Sequence, residues 1–92
     1  MSSKTVTLET NLVAATVEFL QIEIEGLYEE GVTEITLDLE KVGIVDSTGI
    51  GFMIRIQNTL EKDGGHLVLI NVQDDIKRML QIMRLDQHIT IK

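Results

Sequence analysis

The apolar residues of this chain keep changing period, from every second residue to every third or fourth and back, and that alternation restricts the fold more than any other feature. Residues 4–8 alternate polar and apolar around Val6 and Leu8 and are rich in β-branched side chains, which predicts a short strand suited to a sheet edge. Val13, Val17, Leu20, Ile24 and Leu27 then recur at helical spacing, with Glu18, Gln21, Glu25 and Glu29 on the polar side, until Gly31. Ile35, Leu37 and Leu39 return to strict alternation and predict a central strand, with Ile44 and Val45 in its exit loop. A second helix follows, centred on Met53, Ile56 and Leu60, and Gly64 and Gly65 close it. Residues 66–70 read as a buried strand. Asp74 and Asp75 suit the first turn of a third helix with Ile76, Met79, Leu80 and Met83 inward, and residues 88–91 alternate once more.

Four strands separated by three helices predict an α/β fold, with right-handed crossovers onto one mixed sheet of four or five strands and helices packed against it. The 92 residues, 43% of them hydrophobic, suffice for a single domain spanning 1–92 with one modest core. Proline is absent and no low-complexity tract or repeat interrupts the pattern, so no internal linker is expected.

Composition narrows the function classes. No apolar run approaches the roughly 20 residues that cross a bilayer, and the N-terminus leads straight into the first strand, so the expectation is a cytoplasmic protein without membrane contact. There is no cysteine, and His66 and His88 are too far apart to suggest a zinc site, which leaves no predicted metal or cofactor. A net charge of −7 repels a phosphate backbone and argues against nucleic acid. Another protein is the expected partner.

Polar chemistry is concentrated in one place, Gly43-Ile44-Val45-Asp46-Ser47-Thr48-Gly49-Ile50-Gly51, where the central strand gives way to the second helix. Ser47 or Thr48 can serve an unpaired N–H at the helix start, and Gly49 and Gly51 let another surface come close. The segment lacks the Gly-x-x-x-x-Gly-Lys-Ser/Thr pattern of a nucleotide cradle and the Gly-x-Ser-x-Gly of a nucleophile elbow, so it predicts no enzyme. It suits a hydroxyl that accepts phosphate from a partner kinase, where the added charge beside Asp46 would expel that partner. Ile50, Phe52 and Ile54 widen the apolar arc of the helix beyond its core stripe; either packing absorbs them or they join Gly49, Gly51, Asp46 and Arg55 in a small contact surface. On the first helix, Phe19 and Ile22 fall off the main stripe, as flanking core contacts or as a protein-binding or self-association patch.

Residues 45–51 closely resemble the phosphoacceptor turn of the STAS family, named for sulphate transporters and anti-sigma-factor antagonists, and in particular its small bacterial antagonist branch. The likeness continues through Gly64-Gly65, residues 67–70 and residues 76–80, and covers nearly the whole chain. It implies an anti-sigma-factor antagonist that binds an ATP-dependent anti-sigma kinase, is released by phosphorylation and is reset by a phosphatase. By position, Ser47 is the implied acceptor with Thr48 the alternative, Asp46 orients the turn and contacts the kinase, and Gly49 and Gly51 keep the contact surface shallow. The N-terminal region is short, and Glu9-Thr10-Asn11-Leu12 stands where the family has a Gly-Glu-Leu-Asp-like segment. That departure leaves open a signalling adaptor or scaffold in a chemotaxis, two-component or stress-sensing assembly, working through the same surface or as a homodimer.

Overall fold

The computed structural model describes residues 2–92; Met1 lies outside them. The elements run β1 (Ser2–Thr7), α1 (Ala14–Glu29), β2 (Val32–Asp38), α2 (Ser47–Glu61), β3 (His66–Ile70), α3 (Asp74–Ile82), a 3-10 turn (Leu85–Gln87) and β4 (Thr90–Ile91). The four strands lie side by side in chain order, β1-β2-β3-β4, and every neighbouring pair is parallel. The expected mixed sheet is therefore corrected to an all-parallel one of four strands. Each crossover contains a helix that carries the chain back to the starting end, so each new strand runs the same way as the last.

Stepping in one direction with crossovers of one hand sets the helices on the same face of the sheet. Burial agrees. Val6, Ile35, Leu37, Leu67 and Leu69 share the covered face and join Val17, Ile24, Met53, Ile56, Leu60, Ile76 and Leu80 of the helices in one core. The opposite face presents Thr5, Thr36, Glu34 and Asp38, none of them fully buried, around Val68, which is buried at 3% exposure.

Two glycines show how tightly the layers meet. At Gly31 the chain leaves α1 with φ of 84°, a conformation that costs glycine nothing. Gly65 enters β3 against β2 so closely that a Cβ there would lie 1.7 Å from the Thr33 carbonyl oxygen. Beside it, buried Gln57 of α2 accepts the Leu67 N–H at 2.8 Å and donates to Glu61 at 2.8 Å, so a polar side chain in the core has both ends satisfied. His66 opens β3 and faces Glu34 at 3.7 Å, and His88 closes the 3-10 turn ahead of β4 and faces Asn58 at 3.2 Å.

α3 departs from its expected inward face. The helix ends at Ile82, so Met83 caps it instead of extending its stripe, and Met83 and Ile82 are both exposed.

Candidate functional site

The Asp-Ser-Thr-Gly junction lies at the end of the sheet where the β1–α1 and β2–α2 connections run together. Leu12 and Val45 form a single parallel bridge between the two connections, with the Leu12 N–H donating to Ile44 and the Asp46 N–H donating to Leu12. The Asn11 amide oxygen accepts from both Gly43 and Ile44, at 2.9 and 3.1 Å, and Lys41 reaches Glu9 at 2.8 Å. The Glu9–Leu12 stretch is thus the platform on which the turn rests. Sequence reasoning missed Asn11 in this role. An Asn just ahead of a helix reads as that helix's own cap, and only the fold turns its side chain toward a different loop.

Asp46 is the N-cap of α2, and its carboxylate serves two helices. One oxygen accepts the Gly49 N–H at 2.8 Å, closing the first turn of α2, and the other accepts the Ala14 N–H at 3.0 Å, at the start of α1. The second bond answers a local need: Val13 occupies the N-cap position of α1 and has no side-chain oxygen to offer. These bonds, from Gly49 first, then Ala14, with a smaller contribution from Thr48, hold the Asp46 carboxyl below its ordinary value of 3.8. Asp46 is ionised at neutral pH and fully engaged with backbone donors.

Ser47 and Thr48 occupy the first two positions of α2, and both are exposed. Their hydroxyls stand at the positive end of a 15-residue helix, beside a fixed negative charge. Down the same outward ridge, at i+4 and i+7 from Ser47, lie Gly51 and Ile54, both partly exposed. Arg55 is exposed one position round, where it lines the cleft between α1 and α2 with Gln21, Glu25 and Tyr28.

The other predicted contact residues are turned inward. Ile50 is 7% exposed and Phe52 2%; Phe52 lies on the flank of α2 that meets Ile24 and Tyr28 of α1, and Ile50 belongs to the core on the opposite flank of the wide apolar arc. They support the turn from beneath, and the reading of them as partner contacts is corrected accordingly. Gly49 is buried as well. A Cβ there would come within 2.3 Å of the Leu12 carbonyl oxygen and 3.0 Å of Leu12 Cγ, so its missing side chain admits the protein's own backbone. At Gly51 a Cβ would meet nothing within 4 Å. Phe19 and Ile22 lie away from this site on the solvent side of α1, each 73% exposed, which removes them from the core.

Beyond the turn, exposed Ile44 joins Gly43, Val45, Asp75 and Met79 around a shallow cleft toward α3. Among the described residues, no three His, Asp or Glu side chains converge as metal ligands, and no helix is long and apolar enough to cross a membrane.

The STAS domain model matches residues 3–92, nearly all of the stretch that builds this sheet and the Asp-Ser-Thr-Gly turn. The chain belongs to the STAS family. It is 30% identical over 67 residues to the anti-sigma-B factor antagonist of Staphylococcus aureus (strain NCTC 8325 / PS 47), a match covering 73% of this chain and 62% of that relative's length. The Thermotoga maritima protein TM1081 shares the fold with a TM-score of 0.85 at 20% identity, over 98% of this chain and 73% of the other. The Bacillus cell fate determinant SpoIIAA in its phosphorylated form gives a TM-score of 0.76 at 23% identity, over 99% of this chain and 83% of the other. At those identities the two structures establish a shared fold.

Proposed function

We propose that this STAS domain is an anti-sigma-factor antagonist that binds a cognate anti-sigma kinase and is released when that kinase phosphorylates Ser47 or, failing that, Thr48. The observation that carries the reading is the contrast at the start of α2, where two exposed hydroxyls stand beside a carboxylate both of whose oxygens are committed to backbone N–H groups of the fold. A rigid, protruding hydroxyl is what a kinase needs in order to align an acceptor for in-line transfer. The name of the Staphylococcus aureus relative supports the sigma-regulating branch.

The switch follows from charge. A phosphate brings about −1.5 to −2 charge and three acceptor oxygens. The helix end can stabilise part of it, but the Gly49 N–H is already bonded to Asp46, and Asp46 stays ionised beside the new group. The phosphate therefore projects outward with much of its charge uncompensated, toward the surface where the kinase sits. Gly51, Ile54 and Arg55 supply the rest of that contact, and a phosphatase restores the binding state by removing the phosphate.

Capture of partners from the native lysate with added ATP, followed by mass spectrometry of the peptide containing Ser47 and Thr48, tests this reading. A sigma-regulating kinase recovered together with phosphate on that peptide is the expected result. Receptor or scaffold proteins recovered with an unmodified peptide would replace the antagonist by a signalling adaptor.

A further inference from the structure

The outer face of α1 carries an organised apolar seam that the phosphoacceptor turn does not use. Ala15, Phe19, Ile22 and Gly26 recur at spacings of four, three and four, which sets them in one line on the side of the helix opposite the buried Val17, Ile24 and Leu27. Phe19 and Ile22 are each 73% exposed at the centre of that line, and with Glu18, Gln21 and Glu25 they border a shallow groove. The ends of the line are small. At Gly26 a Cβ would meet nothing within 4 Å, so alanine, the better helix former by about 1 kcal/mol, would fit within the monomer.

Charge identifies what the seam can receive. Both its edges are acidic, with Glu18, Glu25 and Glu29 on one side and Glu23 on the other, and no lysine, arginine or histidine occurs between Lys4 and Lys41. The cation that α2 brings to this flank is Arg55, in the cleft on the α2 side. A second copy of α1 laid on the first, parallel or antiparallel, would set glutamate rows against glutamate rows, which is repulsive in either direction.

We infer that the outer face of α1 is a docking site for an amphipathic helix of a partner protein, with an apolar ridge to cover Phe19 and Ile22 and basic residues on both flanks to meet the glutamates. The small residues at the ends let the incoming helix lie close, and the two large side chains form its central anchor. The site is separate from the Ser47 turn and rests on no part of the switch, although its first residue, Ala15, follows the residue whose N–H is bonded to Asp46.

The test is an NMR titration of the isotopically labelled chain with a synthetic helical peptide bearing leucine on one face and lysine on both flanks. The same peptide with glutamine in place of leucine is the charge control. Shift changes confined to the outer residues of α1 are expected, with affinity falling about tenfold in Phe19→Ser/Ile22→Ser and less in Gly26→Ala. Equal binding of the glutamine peptide, shifts spread over every acidic surface, or unchanged affinity in the double variant would overturn the proposal. So would a dimer of the chain alone in sedimentation that Phe19→Ser abolishes, since the occupant would then be a second copy. Because no kinase or ATP takes part, failure here leaves the phosphoacceptor reading untouched, and the converse also holds.

Discussion

The first turn of α2 has an inner and an outer side, and they are built on opposite rules. On the inner side Asp46, Gly49, Ile50 and Phe52 are committed to the protein itself: a shared cap, a backbone contact and two core side chains. On the outer side Ser47, Thr48, Gly51 and Ile54 make no comparable demand on the fold. The proposed phosphoacceptor role needs both properties, since a hydroxyl that is free to react must still be held where a kinase finds it. The contrast also separates residues whose loss should unfold the domain from residues whose loss should change only what it binds.

Gly49→Ala should break the inner side most severely. The new Cβ would strike the Leu12 carbonyl oxygen, which is backbone and is itself bonded to the Asp46 N–H, so no flexible side chain can yield. A loss of about 2–3 kcal/mol is expected, lowering Tm by roughly 10–20 °C in a domain of this size. A denaturant titration checks it. A variant as stable as the parent would mean that the two connections do not meet as described.

Asp46→Ala ranks next, and its effect should depend on pH. The folded pKa lies below the ordinary 3.8, so ionised Asp46 stabilises the native state above that value, and the contribution disappears as pH falls through the folded pKa. The variant should melt several degrees lower at neutral pH, by loss of caps at two helices, and the gap from the parent should close on acidification below 3.8. Thermal melts across that range measure it. A gap that persists in acid would assign the loss to something other than the carboxylate.

Much of this arrangement is legible from residue order alone, and the remainder is lost for a physical reason. Period and punctuation locate all four strands and three helices, because Ile35-Leu37-Leu39 and Met53-Ile56-Leu60 each fit only one regular structure. Strand direction is not encoded in period; it follows from the crossovers, and hence a mixed sheet was expected where a parallel one forms. Asp46 and the two hydroxyls stand out because such residues cluster nowhere else. The fates of Phe52 and Gly49 are decided by α1 and by Leu12, which are distant in sequence, so the helical pattern of α2 could not reveal them. Met83 fails similarly, as a continued stripe cannot show that α3 stops one residue earlier.

Substitutions at Ser47 sharpen the outer side. Ser47→Ala and Ser47→Asp should each leave stability within about 0.5 kcal/mol of the parent, because the side chain is exposed. Ser47→Ala should keep kinase binding and lose phosphate incorporation, whereas Ser47→Asp should weaken binding roughly tenfold or more by setting a second carboxylate beside Asp46. Phosphate incorporated undiminished into Ser47→Ala would transfer the acceptor role to Thr48 or elsewhere.

Gly51→Ala should have the smallest effect on binding and is the most discriminating against Gly49→Ala, since the two glycines lie two residues apart and differ in which side of the turn they face. Among the described residues nothing occupies the space a Cβ would take at position 51, and a helix-interior glycine is about 1 kcal/mol less favourable than alanine. The substitution should therefore raise Tm by a few degrees while weakening the kinase complex, because the added methyl group stands on the ridge between Ser47 and Ile54. Paired melting and binding measurements decide it. A gain in stability with unchanged binding would leave Gly51 outside the contact and confine the partner to the hydroxyls above it, whereas opposite movements of the two quantities would show stability given up in the monomer for close approach in the complex.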